Sequence, residues 1–128
     1  MLRRVAYLLI LLLAACSPGD LPFERDELPP GDAARGAALF GQSIDGAPAC
    51  ANCHSVDGGF SSGPGLDGYG DQAETRVSGQ SGVEYSFLSI MRPAKHIVKG
   101  YSNVMYSDYD EKLDKQAVAD LIAYLMEL

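Results

Sequence analysis

The feature that most constrains this chain is the run Cys50-Ala51-Asn52-Cys53-His54. Two thiols three positions apart, followed at once by an imidazole, crowd three metal-seeking or nucleophilic groups onto one turn of backbone. A dithiol of this spacing can cycle with a disulfide, but that use belongs to chains of alternating strands and helices, a pattern missing here. A structural zinc ion wants four ligands, and the two cysteines would then need both His54 and His96.

The pentapeptide C-x-x-C-H is also the form of c-type haem attachment. The two sulfurs reach the two vinyl groups of one porphyrin as thioethers, and the adjacent histidine lies under the iron. This third chemistry uses every residue of the run that carries a reactive atom.

The chain opens with Arg3 and Arg4, then the apolar stretch 5–13, then Ala14-Ala15-Cys16. A basic start, an apolar core and small residues before a cut are the parts of a secretory signal peptide. The eleven apolar residues 5–15 would make a helix of about 16 Å, short of the hydrocarbon thickness of a bilayer. Leu13-Ala14-Ala15-Cys16 resembles the lipobox of bacterial lipoproteins, in which the cysteine becomes the lipid-bearing N-terminus. A plain signal peptide with an incidental cysteine is the alternative. Three cysteines is an odd count for an exported chain, and lipid on Cys16 leaves Cys50 and Cys53 as one pair.

Residues 17–30 carry Pro18, Pro22, Pro29 and Pro30 and read as an extended tether that does not pack on the rest of the chain. The expected organisation is therefore a signal peptide over 1–15, lipid-attached Cys16 and tether over 16–30, and one domain over 31–128. Without residues 1–15 the chain has 8 basic against 17 acidic side chains. Such a chain has no basic cluster for nucleic acid. Its acidity either steers it toward a basic docking surface or only keeps an exported domain in solution.

Three helical patterns lie in the domain. Asp32 can cap a helix in which Ala33, Gly36, Ala37 and Phe40 recur at helical spacing, with Gly36 marking close approach of another backbone. A middle helix fits 83–91, with Val83, Phe87, Ile90 and Met91 on one face and Pro93 beyond its stop. In the last, Leu113 and Val118 flank an Asp114 cap, and Val118, Leu121, Ile122 and Leu125 form a stripe. Residues 55–80, with seven glycines, read as a loop. A loop of that length is acceptable in a small domain only if the chain wraps a large rigid apolar object.

On these residues the chain resembles the class I cytochrome c family over nearly all of 31–128. The matching segments are Ala34-Arg35-Gly36-Ala37-Ala38-Leu39-Phe40, the Cys50–His54 run, Gly63-Pro64-Gly65-Leu66, Gly100-Tyr101-Ser102-Asn103-Val104-Met105, and the helix bearing Tyr124. The resemblance implies an all-α fold of three to five short helices and long loops around one covalent haem c and its iron. It implies that the first and last helices cross closely at Gly36, Phe40 and Tyr124. It further implies that the Pro64 carbonyl takes the proton of His54, the proximal ligand. More narrowly, Ser89-Ile90, Pro93, Ile97-Val98 and 100–105 are similar to small cytochrome domains associated with bacterial respiratory oxidases. Tyr106 departs from that pattern, where many relatives have proline.

The distal ligand has several candidates. Met91 falls on an apolar helix face, a place for core filling, and Met126 lies in the final helical turn. Met105 lies in the irregular stretch where the family places its ligand. His96 is the competitor, and would otherwise be a surface histidine or a contact to a haem propionate. A His/Met pair raises the reduction potential and leaves no open position for substrate, so electron transfer and not catalysis is expected.

The functional expectation is a monomeric, membrane-tethered, one-electron carrier on the extracytoplasmic face of a bacterial membrane. Its partners would be an oxidase, a quinol-oxidising complex or a dehydrogenase, met through a small transient interface. A fixed subunit of a larger oxidoreductase is the first rival. A haem with an open distal side that binds peroxide or gases is the second.

Overall fold

A computed structural model of the 128-residue chain describes residues 20–59 and 61–128. The expected signal peptide and the lipid site at Cys16 lie outside the described residues. Five helices form the domain: α1 (Ala33–Phe40), α2 (Tyr69–Arg76), α3 (Gly82–Met91), α4 (Tyr109–Lys112) and α5 (Lys115–Leu125). Single 3-10 turns stand at Arg25–Glu27, Cys50–Asn52 and Pro93–Lys95. The described residues form no sheet, only an isolated bridge between Ile44 and Ala47. No helix among them is long and apolar enough to cross a membrane.

Helix α1 begins where Asp32 accepts a hydrogen bond from the Arg35 amide, and α5 where Asp114 accepts from Ala117. Each cap satisfies an amide that helical bonding leaves free. The two helices then cross with almost no space between backbones. A methyl group built on Gly36 would lie 2.0 Å from the Asp120 carbonyl oxygen, and one on Gly31 would lie 2.2 Å from that of Ala119. Only hydrogen fits at either place. The Phe40 and Tyr124 rings meet edge-on at 5.5 Å, an arrangement that adds about 1 kcal/mol to their burial. Val118, Leu121, Ile122 and Leu125 are all buried, so α5 presents its apolar stripe to the interior as its spacing demands.

Helix α3 starts at a Ser81 cap, and its Phe87, Ile90 and Met91 enter the core. Val83 does not. It stays exposed while Gly82, Tyr85 and Ser86 around it are buried, so the first turn of α3 packs through a different face from the expected one. Two elements were not expected. Helix α2 lies inside the glycine-rich stretch 55–80, entered through Gly68 at φ +64°, a left-handed conformation that glycine adopts freely. Its apolar pattern is too sparse to announce a helix, since only Tyr69 and Ala73 are buried. Helix α4 is a single turn, too short to show a period.

The N-terminal segment corrects a second expectation. Residues 21–30 do not stand free as a tether: they form a strap across α3 and the start of α5. Phe23 is buried with its ring 6.2 Å from that of Phe87. Lys115 Nζ lies 5.9 Å above the Phe23 ring centre and 2.8 Å from Glu27 Oε1. Gln116 Nε2 donates to the Pro30 carbonyl at 3.0 Å. Pro22, Pro29 and Pro30 restrict the backbone on either side of the turn at Arg25–Glu27, and the Phe23 ring gives the segment something to bury.

Candidate functional site

Helices α3 and α5, with the loops before α2 and α4, enclose a cavity of about 330 Å³. Its size and mainly apolar walls suit a cofactor. Phe40, Leu66, Tyr85, Ile90, Leu121 and Leu125 supply much of the apolar surface. Into the same cavity face Cys50, Cys53, His54, Pro64, His96 and Met105. Met91 and Met126 do not line it: Met91 is 1 % exposed within the core.

Cys50 and Cys53 sit on the 3-10 turn, whose Cys53 amide bonds back to the Cys50 carbonyl at 3.1 Å. Both thiols are free and half-buried. Burial pushes the Cys50 thiol above its ordinary pKa, so it is a neutral group in an apolar wall. The His54 amide also bonds to the Cys50 carbonyl, at 3.0 Å, which turns its side chain inward from the end of the same turn.

The imidazole is held by the loop on its C-terminal side. His54 Nδ1 lies 2.8 Å from the Pro64 carbonyl oxygen. A carbonyl only accepts, so Nδ1 carries the proton and Nε2 keeps its lone pair. Gly63 packs against the ring: a methyl there would lie 2.8 Å from His54 Cε1 and 2.8 Å from the Cys53 carbonyl oxygen. The Gly63 amide donates to that carbonyl at 2.7 Å, the Ser61 hydroxyl donates to it too, and the Leu66 amide bonds Ser55 at 2.8 Å. The loop after His54 is thus sewn to the turn before it. This brace, together with Pro64, fixes the tautomer that a metal ligand needs.

Two buried phenols close the walls. Tyr69 donates to Ser86 Oγ at 2.9 Å, and Ser86 donates to the Gly82 carbonyl at 2.7 Å. Burial pushes the Tyr69 phenol up to about 12. Tyr109, on α4, reaches 61 residues back to the Pro48 carbonyl at 2.8 Å, and burial, aided by the neighbouring cysteines, also carries it to about 12. Sequence reasoning overlooked Tyr109, whose helix is too short to display a pattern. An aromatic four residues after Met105, in an otherwise polar stretch, was the available signal. His96 stands edge-on to the Tyr85 ring at 5.6 Å.

These residues fit haem c on their own chemistry. Paired thiols on one turn, an imidazole with a free Nε2 beside them, a thioether from another loop and an apolar enclosure are the groups this cofactor requires. A zinc site built from side chains alone finds no support: among the described residues no three His, Cys, Asp or Glu groups gather as ligands.

The chain is similar to a cytochrome c of Theileria parva, with 30% identity over 113 residues, covering 78% of this chain and 89% of that protein. No solved structure gives a significant match. The family profile described as cytochrome c matches residues 33–128, from the first residue of α1 through α5 and beyond. The helices, the cavity and the Cys50–His54 turn all fall inside that match, and the chain belongs to the cytochrome c family.

Proposed function

We propose that this small c-type cytochrome carries single electrons outside the cytoplasm while anchored through lipid on Cys16. One observation supports the reading above the others: Cys50, Cys53, His54 and Met105, from segments about 50 residues apart, line one apolar cavity. Cys50 and Cys53 would hold haem c by thioether bonds, His54 Nε2 would be the proximal donor, and Met105 the distal one. The bound haem supplies an iron that alternates between ferric and ferrous states. The protein's part is to keep both ligands fixed, so that little rearranges when the charge changes. The hydrogen bond from His54 to Pro64 and the packing of Gly63 serve that end. With His54 and Met105 both serving as donors, no open position would be left for a substrate, in keeping with a carrier.

His96 lines the cavity as well, so a pair of histidines is the second reading of the ligation. Absorption spectra during a redox titration separate the two. Methionine ligation gives a sulfur-to-iron charge-transfer band in the oxidised protein, lost in Met105→Ala and kept in His96→Ala. An oxidised protein that lacks this band, with a low-spin spectrum kept in Met105→Ala and lost in His96→Ala, would assign His96. Fast binding of carbon monoxide to the reduced protein at neutral pH would instead mean an open distal side. The partners we infer are an oxidase, a quinol-oxidising complex or a dehydrogenase at the same membrane, met as transient encounters or as a fixed assembly.

A further inference from the structure

We infer that the strap presses one face of the domain, the groove between the strap and the Met105 loop, against the lipid surface. The inference rests on the proposed anchor at Cys16. Because residues 21–30 are packed, the chain between lipid and domain is no longer than the stretch from Cys16 to Asp20. Four residues reach about 14 Å when fully extended. The expected tether over 17–30 would have reached about three times as far. The strap therefore determines which side of the domain meets the membrane.

That side is identifiable. Asp20 and Leu21 line a groove with Arg92, Lys95, Val104 and Asp110. The groove's own charges balance, two basic against two acidic, so chain length brings it to the membrane and the basic segment beside it strengthens the contact. The segment beside it is different. Residues 85–107 contain no Asp or Glu in a chain that is acidic overall, and they carry Arg92, Lys95 and Lys99. Among the described residues none of these three forms an ion pair, whereas Arg25, Arg35 and Lys115 each do. Val104 is 67 % exposed at the tip, where the groove meets the cofactor cavity, whereas Ile97 and Tyr101 turn toward the cavity. An exposed apolar tip among unpaired basic groups suits the headgroup layer of an anionic bilayer. Val104 and Met105 line both this groove and the cofactor cavity. A redox partner would accordingly have to approach within the plane of the membrane, which narrows the partner class to membrane-resident complexes.

The test uses full-length, haem-loaded, lipidated protein in vesicles of phosphatidylglycerol. Spin labels on Ala94→Cys and Ser107→Cys, which line the groove, are compared with one on Thr75→Cys in α2. The expected result is a several-fold fall in collisions with an aqueous nickel chelate at 94 and 107 on moving from detergent to vesicles, with no change at 75. Inserting twenty Gly/Ser residues ahead of Asp20 gives a tether of about 25 Å and should abolish the protection. Reversing Lys95 and Lys99 to Glu should weaken it by roughly fivefold or more per position. Equal access at 94, 107 and 75, or protection that survives the long linker, overturns the inference. So does protection seen only in native membranes, which would assign the face to a protein partner. The mass of the Cys16 peptide reads the anchor separately: an unmodified cysteine overturns the anchor, whereas modified cysteine with equal label access overturns the orientation alone.

Discussion

Asp120, 3 % exposed on α5, accepts both arms of the Arg35 guanidinium from α1, at 2.7 and 2.9 Å. The same carboxylate takes the Asp32 amide at 2.7 Å and Gln116 Nε2 at 2.9 Å. One side chain thus ties together the start of α1, its first turn and the middle of α5. The Arg35 hydrogen bonds, helped by those from Asp32 and Gln116, hold this carboxyl at about 2, well below the usual aspartate value near 3.9. A depressed carboxylate stabilises the fold fully above its unfolded pKa and loses that contribution as pH falls through its folded one. Stability measured by urea should therefore decline between about pH 4 and pH 2. Asp120→Asn should start lower at neutral pH and decline less across that window. An unchanged acid limb in the variant would remove Asp120 from this role.

Gly36→Ala tests the helix crossing. Helix propensity alone favours alanine over glycine by about 1 kcal/mol. The added methyl would meet the Asp120 carbonyl, backbone that cannot rotate away, and overpacking costs typically about 1–3 kcal/mol. The variant should unfold at lower denaturant, by at least about 1 kcal/mol. A stabilised variant would mean that α1 and α5 stand further apart than described.

Phe23→Ala tests the strap. A free tether would not notice the change. A ring buried against Phe87 should cost about 3 kcal/mol on truncation, read from the urea midpoint of the haem-loaded protein. A loss below about 0.5 kcal/mol, the usual scale of surface substitutions, would return the segment to a tether.

The buried phenols set the alkaline limit. Tyr69 and Tyr109 both lie at about 12, above the ordinary value near 10. For an acid raised by folding, the contribution to stability is present below the unfolded pKa and is lost as pH rises from about 10 to about 12. Ultraviolet titration should show these two phenols ionising last among the six tyrosines of residues 20–128. In Tyr69→Phe with Tyr109→Phe, the late step should vanish.

Gly63→Ala should disturb the metal end of His54 with little effect on global packing. Its methyl would press on both the imidazole and the Cys53 carbonyl. We expect shifted absorption maxima and a changed midpoint potential in the haem-loaded variant, with helical circular dichroism retained. An unchanged potential would show that the loop yields without moving the ring.

Much of the domain over residues 31–128 is legible in its sequence. Caps at Asp32 and Asp114, the stripe of α5 and the glycine at the helix crossing are local signals, each with one dominant physical cause. The cavity residues were legible through a dense motif and a family resemblance. What escaped notice depended on long-range partners. Helix α2 has too few apolar residues to show a period, yet Tyr69 is held by Ser86 on a neighbouring helix. The strap reads as proline-rich linker until Phe23 finds Phe87, 64 residues away. Asp120 sits in an apolar stripe where sequence alone offers no reason for a carboxylate, because its partner Arg35 lies 85 positions earlier.

That separation also bears on time. Gly36 meets the backbone of α5, and Arg35 takes both oxygens of Asp120, so α1 lacks its main docking surface until some 80 further residues have emerged. Closing so large a loop is slow beside local helix formation. During that interval the Cys50–His54 turn stands in an open chain, its thiols not yet walled in by Leu121 and Leu125. The proposed joining of haem to those sulfurs has its widest access then, before the two helices meet.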